Sequence, residues 1–223
     1  MSFAAQRDAV ADAIGLNFVA LDVETANCDR ASICQIGLAV YENGKLSDEW
    51  ATYVDPKDYF DYVNISIHGI DASTVKGAPT FLHLADTLRS RLDGRVVVCH
   101  THFDRTAMCQ ASQRHRLSEP EWTWLDSACV ARRAWKECSQ KYSLPYVCQV
   151  IGYRYKSHDA LEDAKAAAQV ILAASEKCGL DVDGWLKRVK QPINPAKGHS
   201  QSTSAKTAKK RVVRKPRSHS VLS

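Results

Sequence analysis

The sequence predicts an α/β fold in which helices flank a mixed sheet. Two observations carry this prediction: apolar runs of strand length follow one another before residue 55, and helical and strand-like patterns alternate from about residue 80. Strands joined by tight turns pair antiparallel, whereas strand–helix alternation is typical of parallel strands covered by helices. The 223 residues, of which 45% are hydrophobic, suffice for one domain with a full core plus a tail.

Three antiparallel strands are expected first. Residues 17–24 (NFVALDVE) and 32–41 (SICQIGLAVY) are apolar runs rich in β-forming residues. The sequence ENGK at 42–45 predicts a hairpin turn, and a third strand is predicted over 49–54.

The following segments predict alternating helices and strands. Apolar residues at helical spacing predict a helix over 80–92, and the run RVVVCH predicts a strand over 95–100. The remaining predicted elements are a helix over 103–116, a short strand over 122–125, and helices over about 127–137, 143–152 and 160–177. Together these segments predict a mixed five-stranded sheet.

The composition divides the chain into three regions. Residues 1–16 are predicted to be an N-terminal extension of helical character, and residues 17–190 the folded domain. Residues 191–223 contain eight Lys and Arg and no acidic residue, which leaves a net charge of −3 on the rest. This tail is rich in Ser, Pro and Ala, as disordered segments are. It is either a solvated end without a function or a tether that binds phosphate groups.

Composition also excludes some classes of protein. No run approaches 18 apolar residues, so no membrane span is expected. Asp8 and Asp12 lie near the N-terminus, which lacks the pattern of a secretory signal. The eight cysteines contain no C-x-x-C pair and are expected to be reduced thiols. These features predict a reducing, cytoplasmic location.

Asp22 and Glu24 are carboxylates inside an otherwise apolar strand. Residues two apart in a strand face the same side, which places the two groups about 7 Å apart along the chain. Burying two carboxylates on one face is costly unless a cation compensates them. Either a metal ion fills this role, or the strand end is exposed and forms salt bridges with Arg or Lys.

Asp104 follows the predicted strand that ends in the sequence HTHFD, at the start of a helix. An acid at this position can be a simple helix N-cap. It can also belong to a site, because sites in α/β folds collect at the carboxyl ends of parallel strands. His100 and His102 beside it are expected to be structural.

The sequence SHDALEDA at 157–164 predicts a helix N-terminus that carries a histidine and a carboxylate. Asp159 and Glu162 match a capping box, which makes Asp159 the N-cap. His158 and Asp163 then occupy the two positions that usually meet as a hydrophobic staple. An imidazole and a carboxylate there place a potential base beside a potential metal ligand, unless His158 lies at this helix start by chance.

Four acids and a histidine on three segments suggest one site. Carboxylate oxygens suit Mg²⁺ or Mn²⁺ rather than zinc. Two such ions can stabilise the attacking and leaving oxygens of a phosphoryl displacement, and a neutral histidine can accept the proton of the attacking water. The predicted chemistry is metal-dependent phosphodiester hydrolysis.

The order of these segments resembles the 3′→5′ exonucleases of the DEDD superfamily, histidine subclass (DEDDh). The family includes the epsilon subunit of bacterial DNA polymerase III and RNase T. The three family motifs match Asp22-Val23-Glu24, the segment His100–Asp104, and His158–Asp163, with secondary matches at Ser32–Gly37 and His68-Gly69. The resemblance covers about residues 17–177.

The resemblance implies an RNase-H-like (exonuclease) fold and a role for each matched residue. Asp22, Glu24 and Asp163 would bind the catalytic metal, and Asp22 would be shared with a second ion that Asp104 supports. His158 would be the general base. The implied product is a nucleoside 5′-monophosphate released from a 3′ end.

Three further residues are candidates for substrate binding. The resemblance places the backbone amide of Thr25 near the 3′ terminus. His68 either faces the substrate or makes a local hydrogen bond, and Phe103 either stacks on the terminal base or fills the core behind Asp104.

Three functions remain open from the sequence. The favoured one is a DNA 3′→5′ exonuclease with a separate polymerase or repair partner. The first alternative is the same chemistry on RNA, as in RNase T or oligoribonuclease. The second is a non-catalytic nucleic-acid-binding module, which the presence of all five catalytic residues argues against.

Overall fold

The strands form one mixed sheet in the computed structural model, which describes residues 15–118, 121–136, 142–191 and 193. The strands are β1 (Phe18–Thr25), β2 (Ile33–Glu42), β3 (Lys45–Tyr53), β4 (Val96–Cys99) and β5 (Thr123–Asp126). Their order in the sheet is β3-β2-β1-β4-β5. β1 pairs antiparallel with β2, and β2 with β3, whereas β4 is parallel to both β1 and β5. This is the predicted mixed five-stranded sheet.

Seven helices accompany the sheet within the described residues. They are α1 (Tyr62–His68), α2 (Phe81–Leu92), α3 (Phe103–Arg114), α4 (Ser127–Ala134), α5 (Leu144–Ile151), α6 (Ala160–Cys178) and α7 (Val182–Val189). The predicted helix over 3–14 and nearly all of the predicted basic tail lie outside the described residues.

The sheet has a hydrophobic core on each face. Alternate residues of β1 belong to different clusters, because successive strand side chains point to opposite faces. Phe18 and Ala20 pack with α4, α5, α6 and α7, whereas Val19 and Leu21 pack with α2 and α3. β2 is buried on both faces except at its last residue, which explains its nearly continuous apolar sequence.

Three elements differ from the prediction. β3 begins at Lys45 rather than at residue 49, because it is an exposed edge strand whose polar residues give no apolar alternation. α1 was not predicted because none of its residues is buried. α7 was also not predicted. It is short, and Val182 and Trp185 are its buried residues.

The helices and the cysteines of the described residues can be compared with the expectations from composition. None of the helices in the described ranges is long and apolar enough to cross a membrane. The seven cysteines that the structure describes all lack a disulfide partner.

Candidate functional site

β1 carries two carboxylates close to its own C-terminal end. Asp22 and Glu24 are partly exposed, whereas Leu21 and Val23 between and beside them are buried. The alternation of the strand therefore presents both carboxylates on one face. Asp22 lies opposite Gly37 of β2 in the strand register.

Asp104 lies in the first turn of α3 and is 2% exposed. Its carboxylate Oδ1 accepts a hydrogen bond from the backbone N–H of Val23, at 3.2 Å. The N-cap of α3 is His102, so the simple capping interpretation of Asp104 does not apply. The bond instead ties the start of α3 to β1 between the two strand carboxylates.

The start of α6 supplies the histidine and the fourth acid. Asp159 is the N-cap, and its side chain accepts from the N–H groups of Leu161 and Glu162. His158 has a left-handed backbone, with φ of 66°. Its backbone N–H donates to Asp163 Oδ2 at 2.7 Å. His158 and Asp163 are therefore in contact, as predicted, but through the backbone N–H of His158 rather than through its ring.

The four acids and the histidine line one cavity of about 220 Å³. Within it, ligand atoms of Glu24, His158 and Asp163 lie within 4.8 Å of one another. Asp22 and Asp104 line the same cavity. The five residues that the sequence motifs single out are thus brought together from β1, α3 and the start of α6.

The electrostatics of this cluster call for a cation. Burial, the largest cause, and repulsion by Asp163 and Asp104 raise the pKa of Glu24 to about 8. Burial also raises the pKa of Asp104 to about 7 and holds the pKa of Asp22 well above its usual range. Burial is also the largest cause that raises the pKa of Asp163.

No Lys or Arg among the described residues forms an ion pair with any of these four carboxylates. Salt bridges to Arg or Lys within the described residues therefore do not compensate Asp22 and Glu24. Clustered carboxylates of this kind fit hard divalent ions such as Mg²⁺ or Mn²⁺, whose charge would favour their ionised forms.

A close contact between α6 and β2 positions the histidine and Asp163. Gly37 has no side chain, and a Cβ there would overlap the backbone of Ala160 and Leu161. Gln35 Oε1 accepts from the N–H of Ala160 at 3.2 Å, which satisfies a free amide at the helix start. The motif SICQIG is thus explained by packing, and an interior strand glycine was the available signal.

Tyr155 is a site residue that the sequence did not reveal. Its hydroxyl accepts a hydrogen bond from Ser157 Oγ at 3.3 Å and lies near the carboxylate of Asp163, whose pKa it lowers. Burial is the largest cause that raises the pKa of Tyr155, and the charge of Asp163 adds to it. The tyrosine precedes the helix in an irregular segment, where no spacing rule points to it.

A second cavity of about 410 Å³ is lined by the three predicted substrate residues, Thr25, His68 and Phe103. His68 Nε2 bonds the carbonyl of Thr25 at 3.1 Å, and its Nδ1 accepts from the N–H of Ile70 at 3.0 Å. Both ring nitrogens are thus engaged within the chain, as the local hydrogen-bond interpretation of His68 requires. Burial lowers the pKa of His68, which favours the neutral ring.

Phe103 lies between this cavity and the acidic one and lines both. It packs partly buried against the core, and the guanidinium of Arg30 lies 5.1 Å from its ring centroid. The ring therefore both fills the core behind Asp104 and faces open space. His100 bonds Ser127 and the carbonyl of Tyr142, as expected for a structural residue.

Comparisons with known proteins agree with this arrangement. Residues 19–171 match the RNase_T family model, which is described as "Exonuclease". The chain is 28% identical over 164 residues to a PolC-type DNA polymerase III of Caldanaerobacter subterraneus subsp. tengcongensis. It is 26% identical over 165 residues to the 3′-5′ exonuclease DinG of Bacillus subtilis. Each match covers 72% of this chain but only 12% of the polymerase and 18% of DinG.

Solved structures share the fold at lower identity. Exonuclease X in complex with 5′ overhanging duplex DNA superposes with a TM-score of 0.61 and 19% identity, over 77% of this chain and 99% of that one. The nuclease domain of 3′hExo, a DEDDh family member bound to rAMP, has a TM-score of 0.60 and 16% identity, over 74% and 94%. The predicted RNase-H-like exonuclease fold is confirmed, and the chain belongs to the exonuclease family.

Proposed function

We propose that this chain is a metal-dependent 3′→5′ exonuclease that hydrolyses phosphodiester bonds at the 3′ ends of DNA and releases nucleoside 5′-monophosphates. The observation that carries the proposal is the cluster of four carboxylates with raised pKa values beside a histidine. An arrangement so unfavourable without a cation is expected where divalent ions are bound.

The proposed ligands of two divalent cations are Asp22, Glu24, Asp104 and Asp163, with Mg²⁺ or Mn²⁺ as the ions. When bound, such ions stabilise negative charge on the attacking and leaving oxygens of a phosphodiester. The fixed hydrogen bonds from Val23 N–H to Asp104 and from His158 N–H to Asp163 orient two of the four carboxylates.

His158 is the proposed general base. Its side chain is exposed at the cavity and lies beside Glu24 and Asp163. A neutral imidazole there can accept the proton of the attacking water as the water bonds to phosphorus. A neighbouring carboxylate stabilises the imidazolium that results.

The cavity lined by Thr25, His68 and Phe103 is proposed to receive the 3′-terminal nucleoside. Thr25 is 4% exposed, and His68 and Asn64 hold its backbone carbonyl through hydrogen bonds of 3.1 and 2.8 Å. His68 is therefore proposed to bind substrate indirectly, by fixing Thr25. Phe103 offers a ring at the boundary with the acidic cavity.

DNA is favoured as the substrate, and RNA is the alternative. Support for DNA comes from the PolC-type polymerase relatives and from exonuclease X, which was solved with duplex DNA. Support for RNA comes from 3′hExo bound to rAMP and from a 3′-exonuclease that recognises a histone mRNA stem-loop. A non-catalytic binding module is disfavoured, because it has no use for four mutually repelling acids.

The PolC relatives also suggest a polymerase or DNA-repair context. We propose that this chain acts with such a partner, in a reducing cytoplasm that matches the unpaired described cysteines.

The basic tail of residues 191–223 is proposed as a tether on the phosphate backbone. Its eight cations would make the slope of log affinity against log salt steeper by up to about 5 to 6 on single strands. Affinity titrations of the full chain and of a chain ending at Lys190, at several salt concentrations, measure this difference. Equal slopes would refute the tether.

Product analysis on 5′-labelled single-stranded DNA and RNA of the same sequence tests the function. We expect a ladder that shortens from the 3′ end with Mg²⁺ or Mn²⁺, disappears in EDTA, and disappears in Asp22→Asn. Asp86→Asn removes an exposed carboxylate of α2 outside the cluster and should retain the ladder. A folded chain that binds both substrates but degrades neither would favour the binding module.

A further inference from the structure

Three cavities lie in a row across the site. The acidic cavity shares Glu24 and Phe103 with the cavity proposed for the 3′-terminal nucleoside. On its other side it shares Pro145, Tyr155 and Ser157 with a third cavity of about 560 Å³. The carboxylate cluster is therefore the middle of a continuous depression, and the third cavity has no role in the chemistry described so far.

The third cavity, here named the tyrosine groove, lies between α5 and the segment that leads into α6. Gln149, Gly152, Tyr153, Arg154 and Tyr155 are among the residues that line it. The rings of Tyr153 and Tyr155 stack, with centroids 6.1 Å apart and planes at 18°. Both tyrosines are partly buried against the core below, so their positions are supported by packing.

The segment leading into α6 alternates aromatic and basic side chains. Tyr153 and Tyr155 are partly buried, whereas Arg154 and Lys156 between and after them are exposed, as in an extended chain. Among the described residues, neither cation forms an ion pair with a carboxylate. The groove thus combines ring faces with the positive charge of Arg154, and Lys156 lies next to it in the same segment, on a domain whose sequence is otherwise slightly acidic.

We propose that the tyrosine groove binds the nucleotides on the 5′ side of the scissile phosphate of a single strand. This inference rests on the proposed function, because it assigns the cavity beyond the cluster to the part of the strand that remains after cleavage. Stacking platforms beside cations are how proteins hold single strands without sequence preference. The exposed face of Tyr153 would stack on a base, and Arg154 and Lys156 would contact phosphates.

The order of the three cavities indicates the direction in which the nucleic-acid strand would run. The terminal cavity is closed on one side by α1 and by the hydrogen bonds to Thr25, and it is proposed to receive a single nucleoside. A strand that ends there and passes the carboxylates can continue into the tyrosine groove, which adjoins the acidic cavity at Pro145, Tyr155 and Ser157 and shares no lining residue with the terminal cavity. Tyr155 lies at this junction and lines both the acidic cavity and the groove.

Two substrates separate the groove from the chemistry. The p-nitrophenyl ester of thymidine 5′-monophosphate has no nucleotide beyond the bond that breaks, whereas a 12-residue oligothymidylate extends through the groove. Tyr153→Leu removes the aromatic face but keeps apolar volume, and Arg154→Ala/Lys156→Ala removes both charges. Lys187→Ala/Lys190→Ala removes the same charge from exposed residues that line none of the three cavities.

We expect both groove variants to raise KM for the oligonucleotide about five- to tenfold, in line with the loss of one stacking contact or two phosphate contacts. Their kcat/KM for the ester should stay within twofold of the unchanged chain. The charge variant should also reduce the salt slope by about 1.4. The control pair should change none of these values. Unchanged oligonucleotide KM in both groove variants, or an equal loss on both substrates, overturns the proposal.

Fluorescence anisotropy with the labelled oligonucleotide in Ca²⁺ keeps this test independent of turnover. If the unchanged chain cleaves neither substrate but the groove variants still bind the oligonucleotide more weakly than the control, the proposed exonuclease fails and the groove stands. If the chain cleaves both substrates and all variants bind alike, the groove fails and the exonuclease stands.

Discussion

The side chain of Tyr155 lies between the tyrosine groove and the carboxylate cluster. Its hydroxyl lies near Asp163 and lowers the pKa of that carboxylate, which also accepts a hydrogen bond from the backbone N–H of His158. Groups that orient a metal ligand contribute to affinity although they never touch the ion. We therefore expect Tyr155 to act on the site through Asp163.

Tyr155→Phe removes the hydroxyl near Asp163 while the ring and its packing remain. We expect the Mg²⁺ concentration for half-maximal activity to rise about tenfold, with kcat at saturating Mg²⁺ within a few-fold of the unchanged chain. Activity measured against Mg²⁺ concentration tests this. Tyr53→Phe removes an exposed hydroxyl on β3 and serves as the control. A lower kcat at all Mg²⁺ concentrations, with the midpoint unchanged, would contradict the positioning role.

At the residue scale, the sequence predicts the residues of the carboxylate cluster better than the neighbouring residues that affect them. Asp22, Glu24 and Asp104 are visible because acids in or after apolar strands break a strong pattern. His158 and Asp163 are visible because the spacing of Asp159 and Glu162 predicts the N-cap at Asp159, where the helix does start. Tyr155 breaks no pattern, since a tyrosine in a loop is ordinary. Its role depends on a tertiary contact.

The contact between α6 and β2 is the decisive feature at the scale of elements. Gly37 allows the helix start to approach the strand opposite Asp22, and Gln35 bonds the first helical amide. Any side chain at Gly37 would press on backbone atoms, which cannot rotate away. The helix would then shift as a unit and move His158 and Asp163 relative to β1.

Gly37→Ala is expected to lower the free energy of unfolding by about 1–3 kcal/mol, as overpacking of a tight core does. It should also reduce activity more than tenfold, because the two halves of the cluster separate. Urea denaturation and the exonuclease assay measure both effects. Gly184→Ala on α7, where the added methyl would meet only side chains, is the matched control. Full activity in Gly37→Ala would mean that the close approach is not required.

The sequence predicts a helix or strand well where its buried apolar residues recur at a regular spacing. β1, β2, α2 and α6 bury regular apolar positions, and their bounds agree closely with the expectation. α1 buries none and is held by capping at Asp61 and Gly69, so its sequence shows no apolar face. The start of β3 is likewise exposed and polar.

At the scale of the whole molecule, the carboxylate cluster makes stability depend on pH. Without metal, the pKa of Glu24 is raised to about 8 and that of Asp104 to about 7, whereas both lie near 4 in an unfolded chain. The folded state therefore binds more protons than the unfolded state between these limits. The free energy of unfolding must then fall as the pH rises through this window.

Urea denaturation in EDTA at pH 6.5 and pH 8 should show this decrease. Burial lowers the pKa of His68 and His100, and their opposite contribution is largest below about pH 6.5 and fades by about pH 7.5. Asp104→Asn should reduce the decrease, and saturating Mg²⁺ should abolish it by favouring the ionised carboxylates. Stability that stays level or increases from pH 6.5 to pH 8 in EDTA would contradict the raised pKa values.

The left-handed backbone of His158 has an evolutionary consequence. That conformation costs a residue other than glycine about 1–2 kcal/mol, and asparagine tolerates it better than histidine does. His158→Asn should therefore abolish cleavage while thermal unfolding occurs at the same or a higher temperature. A chain that loses its enzyme activity this way keeps its fold and its acidic cluster. The backbone of this position therefore gives no reason of its own to prefer histidine, so its presence there agrees with the proposed role in cleavage.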